Sequence, residues 1–147
     1  MTVAKIAVAE ARLWIGTPYV HQASCLGAGA DCLGLIRAIW RRLYGHEPCA
    51  VPAYTADWAE ATREERLLCA AEYWLRPKPL GEADLGDVLL FRMRTDGMAK
   101  HLGVQSGIGA EARFIHAYSG HFVTESALSA PWLRRVAARF AFPEGAN

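Results

Sequence analysis

Gly27-Ala28-Gly29-Ala30-Asp31-Cys32-Leu33-Gly34-Leu35-Ile36 sets a cysteine on the first turn of an amphipathic helix, directly after a glycine-rich turn. Asp31 is a good N-cap, because its carboxylate can accept a bond from an amide of the first turn that has no helical partner. Beyond it, Cys32, Ile36, Ile39, Trp40 and Leu43 recur at helical spacing on one apolar stripe, with Arg37 and Arg41 off it. Cys32 therefore heads a stripe that faces the interior. The positive end of the helix dipole favours the thiolate, the form that attacks carbonyls, but the negative Asp31 next door opposes it. Activation of Cys32 needs a base.

Five histidines are available, and two lie in strand-like segments downstream. In Lys100–Gln105, Leu102 and Val104 fall on one face and His101, Gly103 and Gln105 on the other. Arg113–Tyr118, which holds His116, is a second short β-rich run. Adjacent strands can bring both imidazoles to one surface, with directly opposite Cβ atoms about 5 Å apart. A helix laid on that surface would bring Cys32 to them. A cysteine on a helix followed by two histidines on strands is the order of a nucleophile, its base and a group orienting the base.

These residues resemble a known family. Asp31-Cys32-Leu33-Gly34-Leu35-Ile36-Arg37 resembles the nucleophile motif of the NlpC-type papain-like cysteine peptidases, and in particular their phage and gene-transfer-agent cell-wall branch. The likeness extends upstream over Ala11–Tyr19 and downstream over Gly86–Phe91, Lys100–Val104 and Phe114–Ala117, in the family's order. It implies Cys32 as nucleophile, His101 as base, His116 as the polar residue orienting it, and Tyr19 beside the nucleophile, toward the substrate and oxyanion. It implies hydrolysis of an amide in the peptide stem of bacterial peptidoglycan, between D-glutamate and the diamino acid. Two positions depart from the pattern: Leu33 stands where many relatives have serine, and His21-Gln22-Ala23-Ser24 stands where many have a Gly-Gly pair. An amidase or acyltransferase would use the same thiol chemistry, and a structural tail component would keep the fold without activity.

The 147 residues suit one domain spanning 1–147, and about half of them are apolar, which supports a sizeable core. A net charge of +1 gives no nucleic-acid footprint. No apolar run approaches the roughly 20 residues of a membrane span. The first ten residues carry a charge inside their apolar stretch and lack a signal-peptide layout. An enzyme made in the cytoplasm for a substrate outside it needs delivery. The resemblance supplies it as a phage-like tail or hub, with Trp58 or Trp132 as candidate docking anchors away from Cys32. No metal or organic cofactor is required. His46-Glu47-Pro48-Cys49 echoes a zinc-deaminase pattern, but no second cysteine follows at the needed spacing.

The remaining chain reads as helices first and strands after. A first helix runs from Thr2 to about Trp14, stopped by Gly16-Thr17-Pro18, and the nucleophile helix ends near Tyr44 with Gly45 as its cap. Thr62-Arg63-Glu64-Glu65 has capping-box form and opens a helix with Leu67, Ala70, Ala71, Trp74 and Leu75 on one face, stopped by Pro77 and Pro79. Cys69 on this helix reads as a small buried hydrophobe, and Cys25 as a packing residue. His21 and His121 read as surface residues. Strands are expected over Val88–Arg94, His101–Ser106, Ala112–Tyr118 and Phe122–Ser126, with Asp87 fixing the turn into the first. Val136 to Phe142 alternates as a last strand, although Trp132–Arg139 also fits a helix. The fold class is α+β: a papain-like NlpC fold with N-terminal helices packed on a C-terminal antiparallel sheet.

Overall fold

A computed structural model describes residues 2–47, 66–93 and 99–144. Helix α1 covers Val3–Leu13, and its Thr2 hydroxyl accepts from the Lys5 amide as an N-cap. It buries Ala7 and Ala11, small residues that allow close approach to helix α2, Cys32–Tyr44. Both ends of α2 are as the sequence indicates. Asp31 caps the Gly34 amide at 2.7 Å, and Gly45 closes the helix at φ 80°, a left-handed conformation that favours glycine. Between the helices, strands β1 (Ser24–Cys25) and β2 (Gly29–Ala30) form a small antiparallel ribbon that turns at Gly27.

Helix α3, Arg66–Trp74, corrects two readings. Its inner face is Leu68, Ala71, Trp74 and Leu75, while Cys69 and Ala70 are exposed. Alanine and cysteine carry too little apolar area to decide the rotation of a short helix, so its larger side chains set it. Cys25 is likewise exposed on β1 rather than packed. The capping box, Trp58 and Cys49 lie outside the described residues.

Among the described residues six strands form one antiparallel sheet: β3 (Arg76–Lys78), β4 (Val88–Arg92), β5 (Ala99–Gly107), β6 (Arg113–Ala117), β7 (Val123–Ala127) and β8 (Val136–Ala141). Their spatial order is β3-β8-β4-β5-β6-β7, so the last strand inserts between β3 and β4. Pro77 sits in β3, at an edge where the missing N–H is tolerated. The two readings of the C-terminal segment are both partly right, since a short helix α4 (Ala130–Leu133) precedes the strand.

The sheet is covered on both faces. Val88, Leu90, Leu102, Val104, Ile115 and Phe140 join α1 and α2 in the larger core. Leu89, Phe91, Phe114 and Leu128 form a smaller cluster on the other face, against which Trp132 packs. Strand β4 is consequently apolar and fully buried from Val88 through Phe91, the pattern of a central strand with two covered faces. A buried polar knot ties β8 to the start of β4. Arg139 donates to Asp87 at 2.7 Å and to the Gln105 side chain, and Asp87 also accepts from Lys78 and from the Asp84 amide. Asp87 thus fixes its turn as expected, and in addition neutralises an arginine buried in the sheet.

Candidate active site

Cys32 is the first residue of α2, half-buried at the N-terminal end of the larger core. Its Sγ lies 3.9 Å from the Lys100 carbonyl oxygen, and the backbone amide of Leu102 also points at the sulfur. The thiol is therefore held against β5 by the backbone on either side of His101. Loss of water and then the Asp31 carboxylate push the thiol up to about 12, against the amides of Leu102, Leu33 and Cys32 itself, which favour the anion.

His101 and His116 come together as the alternation indicates. His101 Nε2 and His116 Nδ1 are 2.8 Å apart, and both side chains are buried. Burial, followed by the neighbouring ring of His116, lowers His101 to about 3, and burial followed by His121 lowers His116 to about 4. Both imidazoles are neutral at pH 7 for this reason. One expectation needs correcting. The helix is not laid on the surface that carries the imidazoles. The stripe of α2 packs with Leu102, Val104 and Ile115, whereas the imidazoles share the face of Phe91 and Phe114. It is the N-terminal end of α2 that meets β5 beside His101.

Tyr19 lies close enough to Cys32 for a thiolate there to bear on its phenol, which is pushed up to about 12 by burial, then by Cys32 and Asp31. It stays protonated and can donate. Its backbone is fixed from two sides, by a bridge to Ala30 and by a bond from its amide to the His121 carbonyl. The loop after it is pinned by Asp31, which accepts from the Gln22 amide at 2.7 Å. Gln22 adopts φ 64°, the left-handed region, within the loop His21–Ser24. Gly34 completes this junction. A Cβ there would stand 1.9 Å from the Ala23 carbonyl oxygen, so the loop and the helix can meet only across a glycine.

Three contributors escape a reading of the sequence. Ser126 Oγ lies 2.9 Å from His116 Nε2. Trp132 lies edge-on to His116 at 5.2 Å between ring centroids and 6.0 Å from His101, which helps exclude water from both. Trp132 therefore borders the two imidazoles, on the face of the sheet opposite the larger core that holds Cys32. His121 is exposed, but its ring stacks on Tyr118, which in turn contacts His101. Ser126 reaches His116 across the neighbouring strands β6 and β7, and His121 stacks within the turn that joins them, contacts that no local motif marks. In the deaminase-like segment, Glu47 is engaged by Arg37 and Arg41.

A helix headed by a cysteine, packed on an antiparallel sheet that carries two histidines on neighbouring strands, is the α+β papain-like fold of NlpC/p60 domains. The chain is similar to the crystal structure of the NlpC/p60 domain of peptidoglycan hydrolase SagA, with a TM-score of 0.65 and 22% identity over 95% of this chain and 98% of that one. It is similar to an NLP/P60-family lipoprotein-like protein of Staphylococcus aureus (TM-score 0.63, 18% identity, 97% of this chain) and to an NlpC/P60-family protein of Bacillus cereus (0.63, 17%, 92%). It spans 42% and 39% of those two longer chains. No family model and no curated protein matches the sequence. Among the described residues no helix is long and apolar enough to cross a membrane.

Proposed function

We propose that the protein is a cysteine peptidase that hydrolyses an amide bond in the peptide stem of bacterial peptidoglycan. The observation that carries this reading is the hydrogen bond between His101 and His116 beside the backbone that holds the Cys32 sulfur. The similarity of the fold to a domain of a peptidoglycan hydrolase supports the substrate class.

In this reading the pair starts neutral, because burial disfavours both the thiolate and the imidazolium. The Cys32 proton passes to His101 Nδ1, the ring nitrogen not bonded to His116, as the sulfur attacks the carbonyl carbon. The Cys32 backbone amide, at the start of α2, and the Tyr19 hydroxyl stabilise the oxyanion. His101 then gives its proton to the leaving amine, and a thioester remains on Cys32. Water, deprotonated by His101, attacks the thioester to release the acid and restore the thiol. His116 holds His101 in the productive tautomer.

The resemblance in the nucleophile motif supports the finer assignment as a D-glutamyl–diamino acid endopeptidase that works at the cell wall, delivered by a phage-like tail or hub. Incubation of purified protein with sacculi tests the activity. Mass spectrometry should find soluble peptides with a new amino terminus at the diamino acid for the wild type and none for Cys32→Ala. Intact sacculi after incubation with folded wild-type protein would refute the proposal.

A further inference from the structure

The hydrogen bond between the two imidazoles has a direction, and its direction decides whether His101 is a base. A neutral imidazole carries one N–H, so the 2.8 Å contact between His101 Nε2 and His116 Nδ1 has two forms. In the first, His101 Nε2–H donates, and His101 Nδ1 keeps a lone pair. In the second, His116 Nδ1–H donates, and the His101 proton sits on Nδ1, where a thiol proton would have to go. The two forms also place the other His116 nitrogen differently. In the first His116 Nε2 bears a proton, and Ser126 Oγ at 2.9 Å accepts it. In the second Nε2 is bare, and the serine hydroxyl must turn inward to donate.

Resting on the assignment of His101 as the base, we propose that Ser126 is a positioning residue that accepts from His116 Nε2–H and so selects the tautomer in which His101 Nδ1 can take the Cys32 proton. Ser126 stands on β7 in register with Phe114 and reaches His116 diagonally across the strand pair. It is half-buried, so its own O–H can turn to solvent while its oxygen accepts from the ring. The same direction serves the cationic stage. When His101 holds the extra proton, His101 Nε2–H still donates to His116 and His116 Nε2–H still donates to Ser126. No bond in the chain reverses during proton transfer, the condition under which fixed dipoles lower a barrier without reorganisation. The opposite chain would have to reverse at every member. His116, 2% exposed and roofed by Trp132, has little access to water that could replace the hydroxyl.

The test uses the full chain with 15N-labelled histidine, as wild type, Ser126→Ala and Ser126→Thr. Imidazole 15N shifts at pH 7 should show His116 protonated at Nε2 in the wild type and in Ser126→Thr, which keeps the hydroxyl on a residue suited to a strand. Ser126→Ala should lose that preference and gain the Nδ1-protonated form. Release of peptides from sacculi should fall about tenfold or more in kcat for Ser126→Ala, the consequence of a wrong tautomer, with KM little changed and recovery in Ser126→Thr. His116 unchanged at Nε2 in Ser126→Ala would overturn the proposal, as would a changed tautomer with an unchanged rate. Should the wild type release no peptide, the peptidase assignment fails by itself. The 15N shifts then still decide whether the serine sets the tautomer.

Discussion

Lowering the pH from 7 to 5 should remove a large part of the protein's stability, through two buried histidines. Burial holds His101 near 3 and His116 near 4 in the folded protein. An unfolded chain has histidines near 6.5, so below that pH it takes up protons that the folded chain refuses. The sign follows. A depressed folded pKa contributes stability that is complete above about 6.5 and is lost progressively as the pH falls toward 4 and 3. At pH 5 each unfolded imidazole gains about 2 kcal/mol from protonation, or about 4 kcal/mol for the pair, against a typical domain stability of about 5–15 kcal/mol. Glu47, Asp84 and Glu125 are held below the ordinary carboxylate range by their ion pairs and hydrogen bonds, so the interval from pH 7 to 5 isolates the imidazoles. Urea unfolding followed by tryptophan fluorescence reads the effect. With a slope of about 2 kcal/mol/M, the wild-type midpoint should fall by roughly 2 M between the two pH values. The double variant His101→Gln, His116→Gln should show a much smaller fall, whatever its stability at pH 7. A wild-type midpoint that does not move, or an equal shift in the double variant, would show that the two buried imidazoles do not govern this pH dependence.

Gly34→Ala should destabilise by about 2 kcal/mol or more, although alanine ordinarily stabilises a helix interior, because its Cβ would meet the Ala23 carbonyl; a raised urea midpoint would contradict the close approach. Asp87→Ala should lower stability by about 3–5 kcal/mol by leaving the Arg139 charge buried without its carboxylate, while Asp87→Leu combined with Arg139→Leu should recover most of the loss; equal midpoints for the two would count against the pair. Alkylation of Cys32 by iodoacetamide, resolved from the exposed Cys25 and Cys69 by peptide mass, should rise about tenfold per pH unit from 7 to 9, as for a thiol raised by burial. A rate that is flat from pH 5 to 8 would instead indicate an ion pair formed before substrate arrives.

The features legible in the sequence are those with local causes. Asp31 and Gly45 mark the ends of α2 because capping involves neighbours within one turn. The alternation of Leu102 and Val104 against His101 and Gln105 separates the two faces of β5, since side chains in a strand have period two. Part of what escaped the sequence depends on contacts at long range, and part on elements too short to carry a pattern. Strand β3 exists because β8 pairs with it, and the β1–β2 ribbon is only two residues on each side. The rotation of α3 turns Leu68 and Trp74 inward and leaves Ala70 outside, because the larger side chains gain more from packing on the core than an alanine does. That the smaller cluster covers the far face of the sheet, and that Trp132 therefore borders the imidazoles, follows from the order of six strands rather than from any motif, while Ser126 meets His116 through the register of β6 with β7.

The proposed peptidase activity rests on acylation of Cys32 by a stem peptide. Rapid acid quench of the enzyme with a soluble stem peptide, followed by digestion and mass spectrometry, tests it directly. A thioester adduct, with the mass of the amino-terminal part of the substrate, is expected on the fragment that contains Cys32, with none in Cys32→Ala. Cleavage that proceeds in Cys32→Ala at the wild-type rate, or product release with no adduct on that fragment when deacylation is the slow step, would contradict it.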